Sequence, residues 1–202
     1  MPQLSLIQSL TVLHSVRTNH QVVIPTMGAA REWMTLGTHP LDFIYAPSAM
    51  GQAPLLGLGI ALAQPDKQVI VINGDGCMLM NLGCLVTITA AAPPNFVLIV
   101  CDNSVYEVTG RQWTAAADPA RPGSPPVDFC QIARGSGFQQ VCRFDRLNSW
   151  EAAVRDVLAE RGPTFVLLKV EPVPGGAVPK SPSPPKQRAM DFARAVHASA
   201  QS

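Results

Sequence analysis

The sequence predicts a three-layer α/β/α fold around a mostly parallel central sheet. Three observations carry that expectation. Val69-Ile70-Val71-Ile72 and Phe96 to Cys101 are continuous apolar runs, as strands covered on both faces require. A helical stretch separates them, and each run ends in a polar cluster, Gly74-Asp75-Gly76 and Asp102-Asn103. Strand, helix, strand in that order implies a right-handed crossover between parallel neighbours. The 202 residues are 47% hydrophobic and 14% charged, against roughly 25% charge in an average domain. Such a chain has ample material for a core, which excludes disorder for its bulk.

The elements follow in order. Leu6, Leu10 and Leu13 recur at helical spacing and predict a helix from Leu4 to His20. Gln21 to Ile24 reads as a short strand, and Thr26-Met27-Gly28 as a turn feeding a helix from Ala29 to Leu36. Phe43-Ile44-Tyr45 is a second short strand. Pro47 to Gln52 turns into a helix ending near Ala63, where Gly57 and Gly59 lower propensity and permit close packing. Lys67 to Asn73 is a buried strand. The next helix runs from Leu79 to Ala91 and is closed by Pro93-Pro94. After the strand at Phe96, periodicity is lost from Thr109 to Asp128. Loops of that length in compact domains are often functional. Phe129 to Gly135 is a short helix, Gln140 to Phe144 a strand, Leu147 to Glu160 a helix and Thr164 to Val170 the last strand. Pro172 to Pro185 contains six prolines and is expected to run extended over the surface. Lys186 to Ser199 closes the chain as an amphipathic helix. The expected organisation is one domain over residues 1–170, then a proline-rich surface segment and helix over 171–202.

Composition narrows the function. Fifteen Lys+Arg against fourteen Asp+Glu give a net charge of +1, with no basic stripe for nucleic acid. No charged residue occurs from Phe43 to Pro65 or from Gly76 to Cys101. Pro, Gly and Asn break both stretches, whereas a membrane span needs about 20 consecutive apolar residues. A buried core or subunit interface accounts for them better. No signal sequence is legible, and the five cysteines are odd in number and lack a CxxC pair. Both features suit a reducing cytoplasm.

The chemistry concentrates after the two apolar strands. Ligands of open α/β sheets sit beyond the carboxyl ends of their strands. A helix beginning after Gly76 offers free N–H groups to phosphate oxygens. Asp75 would repel phosphate unless it held Mg²⁺, which takes oxygen ligands and bridges to phosphates. Asn103 closes the neighbouring strand and could reach the same ion, with the Val105 carbonyl as a third ligand. Taken alone, Gly-Asp-Gly after a strand is more often just a tight turn; the arrangement over two strands adds weight to a functional reading.

Gly74-Asp75-Gly76, with Asn103 following Gly76 by 27 residues, resembles the thiamine diphosphate motif. Ala49 to Ala53, Leu58 to Ala63 and Val69 to Gly76 are similar to the family's diphosphate-binding (PP) domain. Leu79 to Gly83 and Asp102 to Gln112 resemble the sulfopyruvate and phosphonopyruvate decarboxylases. The resemblance implies the following. Asp75, Asn103 and the Val105 carbonyl are Mg²⁺ ligands. Gly74, Gly76 and Cys77 belong to the diphosphate turn, Cys77 standing where relatives often carry Ser or Ala. Met50, beside Gly51, props the cofactor in its bent shape, and the Ser48 carbonyl accepts from its 4′-amino group. Thr26 lies near the diphosphate, in a pair that is often Thr-Gly in the family and is Thr26-Met27 here. Tyr106 packs beside the cofactor, or is an ordinary core aromatic. Arg111 is a candidate for a substrate sulfonate or phosphonate, or a solvated surface arginine.

The family's activating glutamate lies on a separate pyrimidine-binding (PYR) domain, and no glutamate here has its sequence context. The expected assembly is this chain as β subunit with a PYR-domain α subunit, α2β2 or larger. The expected reaction removes CO₂ from a small 2-oxo acid and releases an aldehyde, with the thiazolium ring as electron sink. The alternatives are the PP component of another thiamine diphosphate-dependent carboligase or 2-oxo acid enzyme, and a non-catalytic cofactor-binding scaffold.

Overall fold

The computed structural model describes residues 4–45, 50–117, 126–173 and 180–198. Fifteen elements follow in chain order: α1 (Leu6–Val16), β1 (Gln21–Pro25), α2 (Met27–Thr35), α3 (Ala53–Ala63), β2 (Gln68–Gly74), α4 (Asp75–Met80), α5 (Cys84–Ala91), β3 (Phe96–Asp102), β4 (Val105–Tyr106), β5 (Gln112–Trp113), α6 (Phe129–Gly135), β6 (Gln140–Phe144), α7 (Leu147–Ala159), β7 (Thr164–Lys169) and α8 (Pro185–Ala198).

Five strands form one parallel sheet in the order β1-β2-β3-β7-β6. The apolar runs sit at its centre, as double-sided burial demands. Val69 and Val71 point into one layer with Phe96, Leu98, Phe165, and helices α3, α5 and α6. Ile70 and Ile72 point into the other with Val97, Ile99, Val166, and helices α1, α2 and α7. The crossovers α5 and α7 lie on opposite faces because the chain moves one way from β2 to β3 and the other way from β6 to β7. The expected three-layer architecture is therefore present. Trp150 of α7 is fully buried, and its indole N–H donates to the Ser9 carbonyl of α1 at 3.0 Å. The two helices of that layer are thereby locked together.

Several boundaries differ from expectation. The first helix is shorter, because Leu4 leaves it to form a parallel bridge with Val170. Phe43 to Tyr45 does not form a strand. Asp42 and Tyr45 instead meet the outer edge of β1 as isolated bridges to Val23 and Thr26. The helix after the glycine turn starts at Asp75, breaks at Asn81 to Gly83, and resumes at Cys84. Part of the expected 109–128 loop is ordered backbone, since Gln112 and Trp113 pair with Tyr106 and Val105. Its segment 118–125 lies outside the described residues, as do 46–49 and, within the proline-rich stretch, 174–179. Helix α8 begins at Pro185 and returns to the first layer, where Phe192 meets Phe43 at 5.0 Å. Of the two α3 glycines, Gly57 is required: a Cβ there would lie 2.3 Å from Val71 Cγ2. Gly59 faces open space. Among the described residues, no helix is long and apolar enough to cross a membrane.

Candidate functional site

The carboxyl ends of β2 and β3 lie side by side, with Gly74 in register with Cys101. Both chains turn away there, β2 into α4 and β3 into the β4–β5 hairpin. Between them opens a cavity of about 320 Å³, closed on a third side by Thr26, Met27 and Gly28 at the start of α2. The topology thus places the cavity where open α/β sheets hold ligands.

Asp75 is the first residue of α4 and is 2% exposed. Its Oδ2 is buried without a hydrogen-bond partner. Burial, reinforced by the nearby Asp102 charge, pushes its carboxyl up to about 7. Backbone N–H groups of Gly76 and Ser104 and the Lys169 ammonium oppose that rise. Asp102 itself is neutralised at close range: Lys169 Nζ stands 2.9 Å from its Oδ1 and 2.6 Å from Ser104 Oγ. The local excess of negative charge therefore falls on Asp75. A buried carboxylate oxygen facing a cavity without a donor is costly, and a bound cation removes that cost.

Asn103 leaves β3 beside Asp75. Its Oδ1 accepts from the Val105 N–H at 3.0 Å, and its Nδ2 donates to Glu107 Oε1 at 2.8 Å. Ser104 carries φ 68, the left-handed turn that swings Val105 and Tyr106 back over the cavity. The Tyr106 ring lies against Gly76 so closely that a Cβ there would come within 2.4 Å of Cε1. The glycine after Asp75 is thus explained by a neighbouring side chain. Cys77 also lines the cavity, and burial raises its thiol above the usual range.

Met50 reaches the rim at 58% exposure, with φ 43. Gly51 does not line the cavity. It packs behind α4 at φ +79, where a Cβ would lie 2.7 Å from the Cys77 carbonyl oxygen. Asn81 Nδ2 donates to the Gly51 carbonyl at 3.0 Å and ties this turn to the end of α4. Thr26 is buried, its Oγ1 3.1 Å from the Ile72 carbonyl and 3.2 Å from Asn73 Oδ1. Met27, beside it, takes φ 49, a conformation glycine adopts far more readily.

The structure thus brings Thr26, Met50, Gly74, Asp75, Gly76, Cys77, Asn103, Val105 and Tyr106 to one cavity. Ser48 lies outside the described residues. Arg111 is exposed on the hairpin turn at φ 64, outside the cavity lining, and its N–H donates to the Tyr106 carbonyl at 2.9 Å. Two groups escaped the sequence reading. Asn73 joins Thr26 to α4 through Nδ2 and Met78 Sδ at 3.1 Å. Glu107 anchors Asn103. Its place as the single acid of the hairpin was the available signal for it.

Among the described residues, no three His, Cys, Asp or Glu side chains cluster as metal ligands. The oxygen groups lining the cavity include the Asp75 carboxylate, the Asn103 amide oxygen and backbone carbonyls, while the Glu107 carboxylate is engaged by Asn103 and the Val173 N–H. That set suits Mg²⁺, which binds one or two carboxylates and completes its shell from phosphates and water. The orphaned Asp75 Oδ2 fits such an ion.

Residues 20–168 match the family described as thiamine pyrophosphate enzyme, C-terminal TPP binding domain. A phosphonopyruvate decarboxylase of Streptomyces viridochromogenes is 39% identical over 151 residues, 75% of this chain and 36% of that protein. The sulfopyruvate decarboxylase subunit beta of Methanothermobacter thermautotrophicus is 36% identical over 153 residues, 75% of each. The chain thus spans about a third of the first relative's length and most of the second's. A Rhodococcus jostii thiamine diphosphate-dependent 4-hydroxybenzoylformate decarboxylase shares the fold, with a TM-score of 0.66 at 20% identity over 85% of this chain and 33% of that one. The chain belongs to the thiamine pyrophosphate enzyme family through its C-terminal cofactor-binding domain, and it resembles that domain of the sulfopyruvate and phosphonopyruvate decarboxylases.

Proposed function

We propose that this chain is the diphosphate-binding β subunit of a heteromeric thiamine diphosphate-dependent 2-oxo acid decarboxylase, acting on sulfopyruvate, phosphonopyruvate or a related small 2-oxo acid. The observation that carries the reading is the buried, unpartnered Asp75 Oδ2 facing a cavity beside Asn103.

When bound, thiamine diphosphate supplies the electron sink that lets a 2-oxo acid lose CO₂ and leave as an aldehyde. Asp75, the Asn103 amide oxygen and the Val105 carbonyl would hold Mg²⁺ against the diphosphate. The Gly76–Cys77 turn would present backbone N–H groups to it. Tyr106, whose ring lies against Gly76, would pack beside the cofactor. Met50 would brace the cofactor from the rim, with the Ser48 carbonyl accepting from its amino group. Thr26 and Asn73 fix the wall opposite, and Gly51 holds α4 in place from behind. Arg111 stays a candidate for the sulfonate or phosphonate of the substrate, with a solvated surface arginine as the alternative that its exposed position outside the cavity lining favours.

Of the glutamates, Glu107 lines the cavity, and its Oε1 already accepts from Asn103 and from the Val173 N–H. We therefore place the activating glutamate on a PYR-domain partner, in an α2β2 or larger assembly. The relative named as a β subunit, matched over 75% of its length, supports this.

The test is co-expression with a PYR-domain chain, followed by a screen of sulfopyruvate, phosphonopyruvate and pyruvate for aldehyde release. Mg²⁺-dependent binding of thiamine diphosphate is measured in parallel by calorimetry. Absence of cofactor binding by the assembled protein would overturn the assignment.

A further inference from the structure

Resting on the cation reading above, we infer that Glu107 is a positioning residue that fixes the orientation of the Asn103 amide. Glu107 is 8% exposed at its side chain and lies in the turn after Tyr106. Its Oε1 accepts from Asn103 Nδ2 at 2.8 Å and from the Val173 N–H at 2.7 Å. Arg31 of α2 stands 3.9 Å from Oε2, and the missing Cβ of Gly28, 3.1 Å away, leaves room for that oxygen.

The two ends of an Asn amide differ in chemistry but hardly in shape, so either can face a cation unless a neighbour chooses. An ionised carboxylate only accepts hydrogen bonds. Placed against the amide, Glu107 admits the NH₂ end and turns Oδ1 away from itself. The Val105 N–H, a donor, stands at the opposite end and reinforces the choice. The oxygen is thereby held on the side away from Glu107. A flipped amide would aim its NH₂ at the cation and set its oxygen against the carboxylate. Glu107 therefore acts through Asn103 rather than on the ion. Because Val173 shares the same oxygen, the carboxylate also joins the cation loop to the segment following β7.

The experiment titrates Mg²⁺ into the chain assembled with its PYR-domain partner, with thiamine diphosphate at fixed concentration, by calorimetry. It compares wild type, Glu107→Gln, Asn103→Ala and the double variant. A glutamine can present an NH₂ to the amide and so releases the flip. The expected result is a loss of about tenfold in Mg²⁺ affinity for Glu107→Gln, as for other groups that orient metal ligands. The double variant is expected to match Asn103→Ala alone, since no amide remains to orient. A general structural role would instead multiply the two losses, and that outcome overturns the inference. Unchanged Mg²⁺ affinity in Glu107→Gln overturns it also. An assembled wild-type protein that takes up no Mg²⁺ overturns the cation reading itself, which separates the two failures. If Glu107→Gln does not fold, Glu107→Asp keeps an acceptor-only group; the same non-additivity with Asn103→Ala supports the inference, and its absence overturns it.

Discussion

Asp75, the proposed cation ligand, is held at the expense of the ligand-free fold. Its Oδ2 is buried, and no protein group donates to it. Asp75→Asn keeps the shape and removes the charge. We expect the variant to bind thiamine diphosphate with Mg²⁺ at least tenfold more weakly while its ligand-free form melts higher than wild type. Calorimetry and thermal unfolding check the two halves, and a lower ligand-free melting temperature would count against the argument. Gly76 is constrained for a different reason, the Tyr106 ring lying where a Cβ would go. Gly76→Ala should destabilise by about 1–3 kcal/mol, as other overpacked sites do. Gly76→Ala in a Tyr106→Ala background should recover part of the loss in urea unfolding. The Asp75–Asn103 pair was singled out in the sequence by its place after two apolar strands and by its resemblance to the thiamine diphosphate motif, and both residues line one cavity. The Glu107–Asn103 pair was not, because it depends on the left-handed turn at Ser104, a backbone state no side-chain pattern announces.

At the level of elements, apolar runs fixed the strands well and boundaries less well. The two central strands were visible because burial on both faces leaves an unbroken run. Helix α4 was hidden, since Asp and Gly are poor helix formers and the packing of Gly51 and Tyr106 decides the backbone there instead. Phe43 to Tyr45 had the composition of a strand but meets β1 at isolated positions, its side chains dividing between the two cores. Capping is testable on α6, where the Asp128 carboxylate accepts from the Gln131 N–H at 3.0 Å. That bond holds its carboxyl below the usual range. Asp128→Ala should cost about 1 kcal/mol at neutral pH. Because the folded state depresses this group, its contribution is present above about pH 4, the unfolded value. It fades as pH falls through the lower folded one. Urea unfolding of both proteins at pH 7 and pH 3 should show the gap closing, and a pH-independent gap would argue against the cap.

For the whole molecule, the described residues of the chain's two uncharged stretches, Phe43 to Pro65 and Gly76 to Cys101, include α3, all of α4 but Asp75, α5 and most of the central strand β3. If the site is completed by a PYR-domain chain, this polypeptide alone should show no measurable decarboxylation with thiamine diphosphate and Mg²⁺. Activity should appear on adding the partner, with a co-eluting complex in size-exclusion chromatography. Turnover by the chain alone would refute the division of labour. How such a partner can attach is limited by the margins of the sheet. Along β1, the bridges at Asp42 and Tyr45 already occupy backbone groups of the outer side. Along β6, Arg143 is exposed and the Arg134 guanidinium donates to the Val141 carbonyl at 3.3 Å, a charged guard of the kind that discourages strand addition. These features disfavour strand addition at either margin, so a companion chain of the proposed assembly would grip helices and loops, and separating the two would leave the backbone ladder of this sheet intact.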